Sequence, residues 1–441
     1  MKKAHMGASP AKSILATFAV IILAGTFLLM LPQASASGDW TDFTTAFFTA
    51  TSAACVTGLS VVDALAGWTR FGHIVILLLV QIGGLGFIVF ATAFASVLNH
   101  RATLRERLAI SQSLSVDSMH GIVHLAKKIV FRSLLMELAG AMLLSVRLVP
   151  LCGFGEGLFM SIFHSVSAFC NAGIDILGAN VGGLSAFATD PLVCLTLVAL
   201  MVTGGLGFFV WEDIGKRRFS LHTKLTLVCT LVLLISGAIF FMVFEWGNLQ
   251  TMGNFDFWEK LLASFFQSAT CRSAGFCMLP QSEMTFLSKG MMMLLMFIGG
   301  SPGSTAGGVK TVTVAVCLLA ADSAMRGKRE VAAFGRKISH TTVYRCICIV
   351  FIGISLVLFS TVLISLINTG PVQKVLFECV AAFSTAGISA GITAELNDAS
   401  RLILLVLMYF GRVGILTVGL SLTEDRQQPK IEYPEGKILI G

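Results

Sequence analysis

Eight long apolar stretches punctuate the chain, at roughly 12–31, 70–98, 125–149, 190–210, 222–245, 288–322, 343–367 and 401–422. They match the ~20 residues a helix needs to cross the hydrocarbon core of a bilayer. After the first, third, fifth and seventh comes a shorter, semi-polar segment, at 43–61, 158–176, 258–276 and 375–388. Each is too short to span and predicts a half-helix that enters and leaves by one face. The first stretch follows Lys2 and Lys3 and precedes Ala34-Ser35-Ala36, as in a secretory signal. Its near-spanning length favours a retained first transmembrane helix.

The four short segments align with one another. They end in Cys55-Val56-Thr57-Gly58, Cys170-Asn171-Ala172-Gly173, Arg272-Ser273-Ala274-Gly275 and Ser384-Thr385-Ala386-Gly387. A Phe stands ten positions before each glycine (Phe48, Phe163, Phe265, Phe377), and a small residue six before (Ser52, Ser167, Ala269, Ala381). The spanning stretch that follows carries glycines of its own: Gly83-Gly84-Leu85-Gly86, Gly204-Gly205-Leu206-Gly207, Gly299-Gly300-Ser301-Pro302-Gly303 and Gly411-Arg412-Val413-Gly414. The expected fold is an all-α polytopic membrane protein. It has four helix–pore-loop–helix repeats, at 1–99, 100–215, 216–330 and 331–422, in a pseudo-fourfold arrangement around a central pore, and a tail at 423–441.

Composition agrees. Hydrophobic residues make up 55% and charged residues 12%, with a mean hydropathy of +0.85. Soluble domains carry about twice that charged fraction, so a water-facing enzyme is excluded. Basic residues cluster on one side of the predicted topology: Lys2, Lys3, Lys12; Arg101, Arg105, Arg107, Lys127, Lys128, Arg132; Lys216, Arg217, Arg218, Lys224; Arg326, Lys328, Arg329, Arg336, Lys337, Arg345. The glycine-loop side holds acids, among them Asp42, Asp63, Glu156, Asp175, Asp190, Asp256 and Glu259. The positive-inside rule places both termini in the cytoplasm. The net charge of +7 then marks orientation and a docking face for protein or membrane lipid, with no nucleic-acid partner expected. Cys194, Cys229, Cys317, Cys346 and Cys348 lie within apolar stretches and read as packing residues. No cysteine or histidine has metal-ligand spacing, and no tightly bound cofactor is expected.

Half-helices dipping from one face must aim their inner ends at a shared place. Irregular backbone at membrane depth is tolerated only when buried in protein or lining a wet path. Glycine allows positive φ, and rings of freed carbonyls can replace the hydration shell of a monovalent cation. Acids at the mouth would concentrate that cation.

These motifs resemble the Trk/Ktr/HKT superfamily of potassium transporters, and most closely its bacterial KtrB membrane-subunit branch. The most specific pieces are Ser167–Gly173, Arg272–Phe276, the run 299–310 and Arg412. The fourth segment departs from the family pattern, with Ser384 and Ala386 where Gly and Val are expected. The resemblance implies channel-like potassium permeation in the bacterial cytoplasmic (inner) membrane, stimulated by Na+. It implies a selectivity filter at 55–58, 170–173, 272–275 and 384–387. It also implies a homodimer, held in part by the tail, with a cytoplasmic ring of nucleotide-binding (KtrA-like) regulatory subunits.

Gly299, Gly300, Ser301, Pro302, Gly303, Ser304, Thr305, Ala306, Gly307 and Gly308 interrupt the sixth stretch. A broken helix at mid-membrane marks a transport path, and the resemblance makes this run an intramembrane gate. Lys310 closes it, either reaching the interface or repelling cations. Arg412, a charge amid apolar neighbours, is a functional residue by default; its alternatives are a gate partner or an ion pair with Glu137. Arg272 is expected to point away from the axis towards Asp175 or Glu378. Thr57, Ser273 and Thr385 offer hydroxyls to the ion or to backbone. Two rival functions remain: a sodium-selective or weakly selective cation pathway, since one glycine per repeat makes a short carbonyl column, and a membrane-embedded lipid enzyme. The second lacks a nucleophile–base pair, a metal cluster or a phosphate loop, so the chain is read as no enzyme.

Overall fold

A computed structural model of the chain describes residues 10–86, 89, 122–178 and 182–414. Lys2, Lys3, Arg101, Arg105, Arg107, the far ends of the stretches at 70–98 and 401–422, and the tail at 423–441 lie outside the described residues. Fourteen α-helices are described: α1 Pro10–Met30, α2 Phe43–Ala54, α3 Arg70–Leu85, α4 Ile122–Cys152, α5 Phe154–Cys170, α6 Pro191–Leu206 and α7 Phe208–Gly215, then α8 Leu221–Phe244, α9 Phe257–Thr270, α10 Phe286–Phe297, α11 Thr311–Met325, α12 His340–Ile367, α13 Val372–Phe383 and α14 Asp398–Val413. A two-residue hairpin, Ala332–Ala333 with Arg336–Lys337, joins α11 to α12.

The short segments are helices α2, α5, α9 and α13. Acids expected at the outer face start two of them. The Asp42 carboxylate accepts from Thr44 and Thr45 N–H, and Asp256 with Glu259 forms a reciprocal capping box. Such caps satisfy donors that a helix start otherwise leaves bare. Phe48, Phe163 and Phe377 are buried as their shared register requires, but in the third unit Phe266 takes the buried place and Phe265 is only half-buried.

The odd-numbered apolar stretches are unbroken helices. α4, α8 and α12 are each long and apolar enough to cross a membrane. Their outer faces leave Phe131, Leu138, Leu231, Phe351 and Phe359 exposed, as a lipid-facing surface demands. The even-numbered stretches differ from expectation. Only the sixth is predicted to break, yet α3, α6 and α14 also stop at a glycine of positive φ: Gly86 (83°), Gly207 (94°) and Gly414 (92°). The physical cause is the glycine itself, because a left-handed residue ends a helix and glycine adopts it without a Cβ penalty. After Gly207 the chain resumes as α7, bent 93° from α6.

The units follow one another in a closed order. α3 packs on α5, α6 on α9, α10 on α13, and α14 returns to α2. Within three of the units, glycines bring the outgoing helix against its own short helix. A Cβ on Gly83 would collide with the Ala54 carbonyl, on Gly204 with Phe169 and on Gly411 with Phe383. Those carbonyls stand four residues before Gly58, Gly173 and Gly387 respectively. The third unit is the exception: Gly299 abuts the Gly307 carbonyl and the Ser273 hydroxyl.

Gly83→Ala should therefore cost roughly 1–3 kcal/mol through overpacking, read as a lower melting temperature in detergent. Gly290→Ala, at an exposed helical position where a Cβ meets nothing, should be neutral or stabilising by up to ~1 kcal/mol. Equal effects would contradict this packing.

Candidate functional site

Each short helix ends in the same strained turn. The residue two before the glycine has positive φ in all four units: Val56 (57°), Asn171 (62°), Ser273 (62°) and Thr385 (48°). Among the described residues only Arg217 and Phe334 share this among non-glycines. Side chains pay about 1–2 kcal/mol for that conformation, and β-branched Val56 and Thr385 are the least suited to it. The turn is a Schellman closure. Thr57 N–H donates to the Ser52 carbonyl (2.7 Å), Ala172 to Ser167 (2.7 Å) and Ala386 to Ala381 (2.9 Å), while the third turn bonds Ala274 N–H to Thr270 (3.0 Å).

Because the N–H groups turn back to their helix, the carbonyls that follow are released. A Cβ on Gly58 would meet the Ala172 carbonyl oxygen, on Gly173 that of Ala274, on Gly275 that of Ala386 (2.5 Å), and on Gly387 that of Thr57. The contacts run once through the four units and return to the first. The four glycines have φ of 89°, 62°, 87° and 71°. Among the described residues no hydrogen bond ends on the carbonyls of Thr57, Ala172, Ala274 or Ala386, and all four residues are fully buried. Buried carbonyls are rarely left so. The hydroxyls of Thr57 and Thr385 are likewise buried without a protein partner.

Polar side chains behind the turns hold them. Ser52 Oγ accepts from Gly58 N–H (3.0 Å), and Ser167 Oγ bonds both N–H and carbonyl of Ile174 (3.0 and 3.1 Å). Thr270 Oγ1 donates to the Phe276 carbonyl (2.8 Å). Buried Glu378 accepts from Ser389 Oγ, Thr393 Oγ1 and Ala390 N–H at 2.5, 2.9 and 3.0 Å. His164 meets Asp175 at 2.9 Å. Both acids named as partners for Arg272 are thus engaged in their own loops. Arg272 instead leaves its turn towards α8, where it donates to Thr230 Oγ1 at 3.4 Å. An acid pair is expected because a buried guanidinium calls for one; the side chain instead reaches a face of α8 where Thr230 offers a hydroxyl.

The run Gly299–Gly308 lies against three of the turns. Ser301 and Thr305 N–H donate to the Gly205 and Gly204 carbonyls (2.9 and 3.2 Å), and Phe208 N–H donates to Gly303 (2.8 Å). Thr305 Oγ1 donates to the Phe169 carbonyl (3.0 Å) and accepts from Asn171 Nδ2 (2.7 Å). Gly307 and Gly308 sit on Thr385 and Ser384, with no room for a Cβ on Gly307. Lys310 neither reaches outward nor stands free: Nζ donates to the Ala306 carbonyl (2.6 Å). Arg412 donates to the carbonyls of Thr305, Gly83 and Gly84, the last at 2.8 Å. It ties the run to the break in the first unit. Glu137, its alternative partner, is taken by Gln81 Nε2 (3.1 Å to each oxygen) and lies 3.9 Å from Cys170 Sγ.

The four turns are therefore brought into one cycle through their glycines, and 299–310 is brought against three of them with Arg412 bonded to it. Sequence reasoning did not foresee the breaks at Gly86, Gly207 and Gly414, although a glycine three positions after Gly83, Gly204 and Gly411 was their signal. Gln81 with Glu137 had no such signal.

A family model described as TrkH, cation transport protein, matches residues 8–432. The Potassium/sodium uptake protein NtpJ of Enterococcus hirae is 37% identical, covering 100% of this chain and 99% of that protein. The Ktr system potassium uptake protein B of Bacillus subtilis is also 37% identical, over 98% of this chain and 97% of the relative. Among solved structures, the potassium transporter TrkH from Vibrio parahaemolyticus superposes with a TM-score of 0.72 at 19% identity, covering 96% of this chain and 87% of the other, which establishes a common fold. The match runs nearly end to end, and the chain belongs to the TrkH family of membrane cation transport proteins.

Proposed function

We propose that this chain is the ion-translocating subunit of a potassium uptake system. The four turns form a pseudo-fourfold selectivity filter, and 299–310 with Arg412 form its gate. The observation that carries this reading is the closed cycle of glycine-to-carbonyl approaches among Gly58, Gly173, Gly275 and Gly387. Four unpaired carbonyls held around one axis can exchange for the water of a monovalent cation. Their strain is met in advance by the Schellman closures, so the oxygens need not reorganise when the ion arrives.

The gate follows from electrostatics and bulk. A guanidinium among carbonyls at the foot of the filter raises the energy of a passing cation, and the glycine-rich run occupies the same depth. The run is held by backbone hydrogen bonds of about 1 kcal/mol each net and Arg412 by charge-assisted ones of about 1.5–3 kcal/mol, few enough to be exchanged in a μs–ms motion. The basic ends of α4, α8 and α12 support a cytoplasmic location for the side on which a KtrA-like ring would dock, in keeping with the Ktr system named for the Bacillus subtilis relative. The homodimer and sodium stimulation join this reading from family resemblance. A weakly selective potassium and sodium pathway is the second reading, favoured by the name of the Enterococcus hirae relative.

Gly275→Ala places a methyl 2.5 Å from the Ala386 carbonyl. It should lower rubidium uptake by proteoliposomes at least tenfold while assembly, judged by gel filtration, is kept; unchanged uptake would sink the filter assignment. Potassium and sodium gradients applied to the wild type separate the two readings, equal fluxes favouring the second. Arg412→Gln removes the charge and loosens the run. It should raise rubidium flux several-fold and speed amide exchange at 300–308; reduced flux with normal folding would contradict the gate.

A further inference from the structure

Between the first half of α4 and the elbow joining α6 to α7 lies a small open cleft. Ile129, Met136, Phe169, Phe208 and Trp211 line it with apolar surface. Lys128 and Arg132 also line it, with side chains about 40% exposed. Among the described residues their acid partner is Glu212, which meets Arg132 at 3.1 Å, Lys128 at 3.8 Å and Lys216 at 2.9 Å. One carboxylate thus faces three cations, and Arg217 and Arg218 follow directly in the chain. Ser133, 1% exposed, lines the same cleft, and its hydroxyl has no partner among the described residues.

The depth suits one kind of occupant. α4 is of membrane-spanning length, α7 leaves α6 at 93°, and Glu212 of α7 meets Lys128 and Arg132 in the first half of α4, the basic stretch that the positive-inside rule puts at headgroup level. An apolar floor beneath an excess of positive charge complements an acyl chain beneath a phosphate. A free anion would leave the floor unused, and a zwitterionic lipid would leave the charge unmet.

The back wall belongs to the anchors of the 299–310 run. Phe169 lends its carbonyl to Thr305, and Phe208 its N–H to Gly303. Trp211 Nε1 donates across the elbow to the Thr203 carbonyl (3.1 Å). Whatever fills the cleft therefore bears on two residues that hold that run.

We propose that this cleft binds an anionic phospholipid, with its phosphate on Lys128 and Arg132 and an acyl chain between α4 and the α6–α7 elbow, and that the lipid steadies the run at 299–310. Binding does not depend on the ion-pathway reading.

The test uses the full chain, stripped of lipid in detergent and titrated with dioctanoyl phosphatidylglycerol by native mass spectrometry. Phosphatidylglycerol should bind at least tenfold tighter than dioctanoyl phosphatidylcholine, and inorganic phosphate should not displace it. Lys128→Gln with Arg132→Gln should weaken it about tenfold. Leu125→Trp, which fills the cleft from its rim and keeps every charge, should do the same. Amide exchange at 300–308 should slow on adding the lipid to wild type and not to either variant. Equal binding of the two lipids, displacement by phosphate alone, or unaltered binding by both variants would overturn the proposal. Lipid binding without slower exchange would overturn its link to the run. No arm measures ion flow, so failure here is distinct from failure of the pathway reading.

Discussion

The constraint on which this architecture rests is that main-chain carbonyls placed at membrane depth must find partners or be held against one another by force of packing. Each short helix spends its terminal N–H groups on closing its own end, which leaves the next carbonyl without a donor. Glycine at 58, 173, 275 and 387 then lets that carbonyl from the following unit approach where a Cβ would stand. The contact is useful only as a cycle: any one unit displaced opens two seams. A second tier of glycines, Gly83, Gly204 and Gly411, locks each outgoing helix to the short helix of its own unit, so the cycle is braced from outside by helix packing.

Asymmetry enters at one place. In three units the described outgoing helix ends at a single glycine, whereas in the third it gives way to the run 299–310, and its own Gly307 carbonyl takes the position that a short-helix carbonyl holds elsewhere. The inserted backbone bonds to the second unit through Gly204, Gly205 and Phe169, and to the fourth through Gly411. Arg412 adds the first unit through Gly83 and Gly84. A quasi-symmetric scaffold thus positions one irregular element against three of its four turns.

Much of this was legible in the sequence because it is written in residue types that have few other reasons to recur. The four glycines in register, the flanking apolar stretches and the isolated Arg412 all announced themselves by cost: glycine weakens helices, and a charge in lipid is expensive. What stayed hidden depends on the backbone. Arg412 reaches three carbonyls, and every residue carries one, so no pattern of side chains marks them. Val56 and Thr385 adopt a conformation that their side chains oppose, a local propensity overruled by the packing of the whole cycle. Arg272 finds Thr230 rather than an acid because the direction of a side chain at a turn follows from tertiary placement. The exchange of Phe265 for Phe266 shows the same limit, a one-residue shift within a helix that spacing alone could not anticipate.

The central claim is that four carbonyl-bearing turns surround a site for a dehydrated alkali cation. A density map of the purified chain in rubidium, with anomalous or difference density to mark the ion, tests it most directly. The account predicts a peak on the axis encircled by the carbonyls of Thr57, Ala172, Ala274 and Ala386, lost in Gly275→Ala. Ion density elsewhere, or none at saturating rubidium with the turns well ordered, would contradict it.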